Sequence, residues 1–367
     1  MKINWVEFES KKTKLKIERT YFNDLSLMVG VSGAGKSQIL KAVSLIYTIV
    51  REKNINNRLR FMENSEYKIS FEIDNVNYEY EAHFGECLKE EESVGNVTYN
   101  MIYECLSTEG KILLIQSSDK HKFMEYTIPK TERSGSLLKL FAEEELSKLI
   151  IKNINKIHNI GELNDIRNKS FNRMRLAWYE PKYTKYEDLC SSHFPIVMRF
   201  ALIYRIFPDK FNEIKDEYIN IFNKVEDIKF EFNEDDFYCL FIKEKNCEWI
   251  EQIQISQGMI KSLAHLILLK TLPEGSVVLI DEFENGLGIN CLDMITEKIV
   301  DTENDIQFII TSHHPYIINN IHPDYWKVVS RKCSNIITRP AKDLGIGETK
   351  HDSFFQLINV LEFEEEE

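Results

Sequence analysis

The run Gly30-Val31-Ser32-Gly33-Ala34-Gly35-Lys36-Ser37 fits G-x-x-x-x-G-K-[ST] at every fixed position. Those residue types dictate a chemistry. Glycines let backbone N–H groups turn inward around phosphate oxygens. Lys36 would reach the β- and γ-phosphates of a nucleotide, and the Ser37 hydroxyl would take a place on Mg²⁺. The expected cradle comprises Gly30, Ser32, Gly33, Ala34, Gly35, Lys36, Ser37 and the next helical residue, Gln38. Far along the chain, Ser276-Val277-Val278-Leu279-Ile280-Asp281-Glu282 ends an apolar run in two carboxylates. Asp281 would hold Mg²⁺ opposite Ser37. Glu282 would lie beside the γ-phosphate and polarise the attacking water as general base. A third run, Gln307 to Thr311, leads into Ser312-His313-His314-Pro315. An imidazole there can hydrogen-bond the γ-phosphate, with His313 the first candidate and His314 the second. Finally, Ser256 and Gly258 open what reads as a helix, Met259 to Leu269, and a helix N-terminus with a hydroxyl and a bare glycine amide can meet an anion. An ordinary N-cap explains the same pair.

These groups need a scaffold. Leu25 to Val29 reads as a strand entering the glycine loop, and Ser37 to Val43 as the helix leaving it, with its positive end toward the phosphates. The apolar runs before Asp281 and Ser312 are what strands buried on both faces of a parallel sheet require. Ile3 to Phe22 partly alternates, as antiparallel strands do, and Lys11, Lys12, Lys14 and Lys16 read as a solvated strand face. Two hairpins are expected next, turning at Asp74-Asn75 and at Thr108-Glu109-Gly110. Helical spacing takes over from about Ser136, and more helix is expected from Tyr186 to Asn223. Strands return at 228–232 and 237–242.

The chain has 367 residues, enough for two or three domains. A formal net charge of −13 argues against coating nucleic acid through bulk charge, but leaves room for a local basic groove. One such place is the interleave of Arg167, Lys169, Arg173, Arg175, Lys182 and Lys185 with Phe171, Trp178, Tyr179 and Tyr183. It could grip a nucleic-acid backbone and stack bases; the other reading is a solvated basic surface with its aromatics packed inward. The seven cysteines are scattered, without C-x-x-C pairs, as reduced thiols of a cytoplasmic protein would be. No apolar run approaches the roughly 18 residues of a bilayer span, and no membrane partner is expected.

Taken together and in order, the motifs resemble the ABC-class P-loop ATPases, in the branch of the structural-maintenance-of-chromosomes, RecF-like and overcoming-lysogenisation-defect (OLD) proteins. Walker A is the glycine loop. Walker B and the D-loop, similar to D-E-P-E-N-x-L, are Asp281-Glu282-Phe283-Glu284-Asn285-Gly286-Leu287. Thr311-Ser312-His313-His314-Pro315 resembles T-x-H-S-P. The ABC signature, close to L-S-G-G-Q, would be Ile255-Ser256-Gln257-Gly258-Met259, in which Gln257 and Met259 depart from the pattern. The resemblance implies that Ser256 and Gly258 of one subunit cap the γ-phosphate of ATP held by Lys36 of another, so that dimerisation depends on ATP.

The expected fold is α/β: a P-loop NTPase with an ABC-type ATPase head formed by residues 1–60 and 245–367, and an inserted β-rich then helical lid region over 61–244. The stretch from Lys36 to Asp281 is far longer than a βαβ repeat of about 30 residues. The expected activity is Mg²⁺-dependent ATP hydrolysis. ATP-driven head dimerisation would control a separate effector protein, such as a nuclease or toxin, in a DNA-linked or antiphage defence complex. This expectation resembles the compact ATPases of bacterial antiviral systems. The alternative is a slow nucleotide-gated scaffold that sequesters its effector.

Overall fold

The computed structural model describes residues 1–51, 62–86, 88–89, 97–98, 100–129, 135–160, 171–192, 194–285, 287–300, 305–347 and 350–366. The chain forms two compact units. Met1–Asn159, Gly275–Glu282 and Asn304–Glu367 make the first, and Ile160–Glu274 with Phe283–Glu303 the second.

The first unit opens with β1 (Lys2–Ser10), β2 (Lys16–Tyr21), β3 (Leu25–Val29) and α1 (Lys36–Arg51). An antiparallel run follows: β4 (Ser65–Ile73), β5 (Val76–Phe84), β8 (Met101–Thr108), β9 (Lys111–Gln116), β10 (His121–Phe123) and β11 (Tyr126–Thr127). Two short strands, β6 (Leu88–Lys89) and β7 (Val97–Thr98), pair only with each other. Helices α2 (Leu137–Leu140) and α3 (Glu145–Ile154) lead to β12 (Ile157–Asn159). The unit is completed by β17 (Val277–Ile280), β18 (Gln307–Thr311), α10 (Pro315–Asn320), β19 (Trp326–Lys332), β20 (Asn335–Pro340) and α11 (Lys350–Glu366).

Fourteen of these strands share one sheet, in the order β11-β10-β9-β8-β5-β4-β1-β2-β20-β19-β3-β18-β17-β12. Its core, β19-β3-β18-β17-β12, is parallel. Every residue of β3, β17 and β18 is buried, which is why their sequences are continuous apolar runs rather than alternations. Helix α1 turns Ile39, Leu40, Val43, Ile46 and Ile49 inward, in one core with Met28, Leu279 and Ile309 of the parallel strands and Tyr67, Tyr80 and Phe84 of the antiparallel ones. Gln307 stitches the two kinds of strand together. Its side-chain amide accepts from Ile3 N at 2.7 Å and donates to Ile3 O at 2.9 Å.

Both expected hairpins form. Asp74 and Asn75 take φ of 51° and 62° between β4 and β5, and Glu109 and Gly110 take 48° and 77° between β8 and β9. The lysine-rich face does not: Lys11 and Lys12 lie in the turn after β1, ion-paired with Glu66 and Glu63, and only Lys16 enters β2. Lys14 in that turn has φ of 59°, which breaks the strand alternation. On β8, Glu104 is fully buried. It accepts from Tyr80 OH at 2.8 Å, from Ser136 Oγ, and from Leu137 N at the start of α2 at 2.7 Å. Burial raises its pKa above the usual carboxylate value, against the pull of those three donors.

The second unit holds β13 (Phe171–Asn172), β14 (Val225–Phe232), β15 (Phe237–Glu244) and β16 (Trp249–Glu251), with β15 pairing to the other three. Its helices are α4 (Arg173–Tyr179), α5 (Tyr186–Cys190), α6 (Ile196–Ile206), α7 (Pro208–Ile221), α8 (Gln257–Thr271) and α9 (Ile289–Val300). The helix expected over 186–223 is thus three helices. Pro195 immediately precedes α6 and Pro208 starts α7, because proline suits a helix's first turn and breaks its interior.

Candidate functional site

The glycine loop joins β3 to α1, the strand-to-helix turn its sequence requires. Gly30 is needed for close approach: a Cβ there would lie 2.3 Å from the Val329 carbonyl oxygen on β19. Gly35 has φ of +103°, and its Cβ would meet Ile336 of β20 at 2.3 Å. The loop is therefore pressed against the β19–β20 hairpin. Ser32 and Gly33 are exposed at its tip, and Ala34 is buried beneath. Lys36 Nζ donates to the carbonyls of Gly30 at 2.7 Å and Val31 at 2.9 Å, so its ammonium lies across the loop. Gln38 is half-buried, and its N–H donates to Gly35 O at 2.9 Å. The first turn of α1 holds no acidic residue, which leaves the positive end of the helix for an anionic ligand.

β17 delivers Asp281 to the same end of the sheet. Ser37 Oγ donates to Asp281 Oδ1 at 3.0 Å, and Thr311 Oγ1 donates to that same oxygen at 2.7 Å. The Glu282 N–H donates to Thr311 Oγ1 at 2.8 Å. Glu282 itself is exposed and has φ of 48°, a left-handed conformation that is uncommon for non-glycine residues. The next strand end carries exposed His313. His314 is committed elsewhere: its Nδ1 accepts from Tyr316 N at 3.3 Å and caps α10.

Walker A, Asp281, Glu282 and the Thr311–His313 segment thus all belong to the first unit and lie at consecutive strand ends of its parallel core. The donor chemistry fits the groups these motifs imply. A hydroxyl and a carboxylate oxygen 3.0 Å apart are the hard oxygen ligands Mg²⁺ prefers. Among the described residues no cluster of three or more His, Cys, Asp or Glu could hold a metal by itself.

Ser256 and Gly258 belong to the second unit. Ser256 is exposed and caps α8, its Oγ accepting from Met259 N at 3.3 Å. The Gly258 carbonyl accepts from Ser262 Oγ at 2.7 Å. Further along α8, buried Lys261 donates from Nζ to the carbonyl of Asn285 at 2.9 Å. Buried His265 donates from Nδ1 to Lys261 O at 2.9 Å, and its ring meets Phe283 edge-on. Burial pulls the His265 pKa down to about 4.

Of the basic and aromatic interleave, Arg167 and Lys169 lie outside the described residues. Arg173 pairs with Asp236 and covers the Phe232 ring, while Lys182 covers Trp178 at 4.2 Å. Tyr179 and Tyr183 pack edge-on against Phe194. Arg173 and Lys182 are engaged by rings and an acid of their own unit, but the aromatics divide: Phe171 is buried, while Trp178 is 65% exposed. Sequence reasoning quotes Thr311 as the first residue of the T-x-H-S-P-like segment but gives it no role. Its one signal is a hydroxyl closing a strand whose other residues show no need of one.

The family described as "AAA domain, putative AbiEii toxin, Type IV TA system" matches residues 25–319. No curated protein matches the chain. Among solved structures, an Smc head bound to the C-winged helix domain of ScpA is similar with a TM-score of 0.55 at 15% identity, over 94% of this chain and 99% of that one. An Smc head domain with an extended coiled coil, derived from Pyrococcus furiosus and bound to the C-terminal domain of ScpA, gives 0.51 at 14% identity, over 93% and 97%. At these identities the likeness is one of fold. No helix among the described residues is long and apolar enough to cross a membrane.

Proposed function

The chain belongs to the AAA domain family described as a putative AbiEii toxin of type IV toxin–antitoxin systems and has the fold of an ABC-type P-loop ATPase head, and from that premise we propose that it is a Mg²⁺-dependent ATP hydrolase whose ATP-driven head dimerisation controls a separate effector protein. The observation that carries this reading is the convergence of Ser37, Asp281 and Thr311 beside Glu282, at the open end of the glycine loop's own sheet. The glycine-loop amides and Lys36 bind and orient the β- and γ-phosphates. Ser37 and Asp281 hold the metal, which when bound offsets the negative charge of the phosphate oxygens. Glu282 accepts a proton from the attacking water. His313 donates to the γ-phosphate and registers its presence. Ser256 and Gly258 act from a second copy, closing the dimer around ATP. The family description supports a toxin–antitoxin setting; a separate toxin or nuclease as the effector, in an OLD-like antiviral defence arrangement, is the reading we take from the resemblance of the motifs.

The test is Glu282→Gln. It should retain ATP, slow hydrolysis by roughly 10²–10⁴-fold, the usual worth of a positioned general base, and accumulate as an ATP-bound dimer in light scattering. Wild-type turnover in this variant would remove Glu282 from the mechanism. Comparing wild-type turnover with and without DNA separates a DNA-linked motor from a slow scaffold.

A further inference from the structure

We propose that Thr311 is the positioning residue of the nucleotide site: its one hydroxyl fixes the carboxylate that would hold Mg²⁺ and, at the same time, the backbone of the residue that would activate water. The inference rests on the roles proposed above for Asp281 and Glu282. A hydroxyl has one proton and two lone pairs. Thr311 gives the proton to Asp281 Oδ1 at 2.7 Å and a lone pair to the Glu282 N–H at 2.8 Å. Both bonds are side chain to neighbour, so neither belongs to the strand ladder.

The anchor is rigid. Thr311 has no solvent exposure, and β18 is paired on one side to β3 and on the other to β17. Its β-branched side chain is stiff at χ1. Ser37 and Thr311 donate to the same oxygen of Asp281. Ser37 is the donor that a metal ion would claim; Thr311 is the donor that stays, and it keeps Asp281 in one rotamer through the exchange. The second bond bears on Glu282, whose φ of 48° is sparsely populated for a glutamate. The Thr311 oxygen holds that peptide in place, and so sets the direction in which the Glu282 side chain leaves the chain. Groups that hydrogen-bond a metal's ligands orient them, and losing one costs about 10- to 100-fold in metal affinity or activity.

The test uses the full chain with Thr311→Val, which keeps the shape and loses the hydroxyl, and Thr311→Ser, which keeps the hydroxyl. Binding of a fluorescent N-methylanthraniloyl ATP is measured with Mg²⁺ and with EDTA, beside turnover and thermal unfolding. Thr311→Val should lose the Mg²⁺-dependent gain in ATP affinity by roughly 10-fold or more, raise the Mg²⁺ concentration for half-maximal turnover by the same factor, and leave affinity in EDTA unchanged. Thr311→Ser should restore most of the gain. If Thr311→Val unfolds, Thr311→Cys, with similar volume and a weak donor, is measured in the same way and should fall between wild type and complete loss. A hydroxyl-free variant with the wild-type Mg²⁺ gain and turnover, whatever its melting temperature, overturns the proposal. A wild-type protein with no Mg²⁺ gain overturns the Asp281 assignment, and Thr311's role with it; Lys36→Ala binding distinguishes that result from loss of the glycine-loop reading.

Discussion

Asp281 and Glu104 are both carboxylates ringed by donors in the same sheet, and they are held in opposite ways. Asp281 lies half-buried at the end of a parallel strand, and one of its two hydroxyl donors, Ser37, comes from the turn that opens α1. Glu104 lies fully buried among antiparallel strands, with donors from a core tyrosine, a cap serine and the first backbone amide of α2. The Ser37 donor of Asp281 can be surrendered to a metal ion that takes both oxygens as ligands, while the buried Thr311 donor stays. The donors of Glu104 cannot be surrendered, because each would be left unpaired away from water. A polar group at an accessible strand end is therefore arranged for exchange, and one inside the antiparallel region for permanence.

The contrast can be broken at either end. The largest effect should come from Lys36→Ala, which removes the charge aimed at the β- and γ-phosphates; ATP binding by fluorescence should fall below detection while the melting temperature holds. Glu104→Ala should do the reverse. It leaves Tyr80 OH, Ser136 Oγ and Leu137 N unpaired, at roughly 1–3 kcal/mol each, so urea unfolding should show a loss of about 3 kcal/mol or more with ATP affinity intact. A Glu104→Ala protein that folds normally but fails to bind ATP would erase the distinction.

His265 sharpens it from the second unit, as another group built to keep its partners. Its folded pKa of about 4 lies below the ordinary 6.5, so the unfolded chain takes up a proton that the folded chain refuses. The stability this residue contributes is complete above pH 6.5 and drains as pH falls toward 4, by on the order of 3 kcal/mol. His265→Gln should flatten the pH dependence of unfolding in that window and leave turnover at pH 7.5 unchanged.

The smallest effect separates two readings of Ser256. As a plain N-cap, Ser256→Ala should cost about 1 kcal/mol and spare activity. As a signature residue acting across a dimer, Ser256→Arg should block closure and turnover without blocking ATP binding. Mixing Ser256→Arg with Lys36→Ala chains should then recover some activity, through one intact composite site per mixed dimer. Mixed dimers that form without recovering activity would assign Ser256 to its own chain.

The legible parts of this molecule are those where chemistry and local geometry coincide. The glycine loop could be read because phosphate binding fixes residue types at fixed spacing, and the strands before Asp281 and Ser312 because burial on both faces leaves an unbroken apolar run. The hairpins are legible in Asp74-Asn75 and in Gly110, residue types that suit the positive φ these turns require. Pairing across long separations was not. Nothing local in Trp326–Lys332 or Asn335–Pro340 says that this hairpin enters the sheet between β2 and β3, or that Gly30 and Gly35 are small partly to admit it. The role of Thr311 is illegible for the same reason: the motif names the residue, but its meaning lies in two partners from another strand's end. His314, read as an alternate to His313, turned out to cap α10, a role set by the proline beside it.

The sheet order also sets a timetable. In the antiparallel region β4 pairs with β5, and β8 with β9, across turns of two residues, so these contacts can form while the chain is still being made. The parallel core cannot: Leu25 of β3 pairs with Phe308 of β18, and Leu27 with Trp326 of β19. Such distant contacts close late and slowly. A nascent chain must therefore carry its glycine loop without a floor until β18, β19 and β20 leave the ribosome. Until β18 and β19 have emerged to pair with it, the bare edge of β3 is where a chaperone would be needed most.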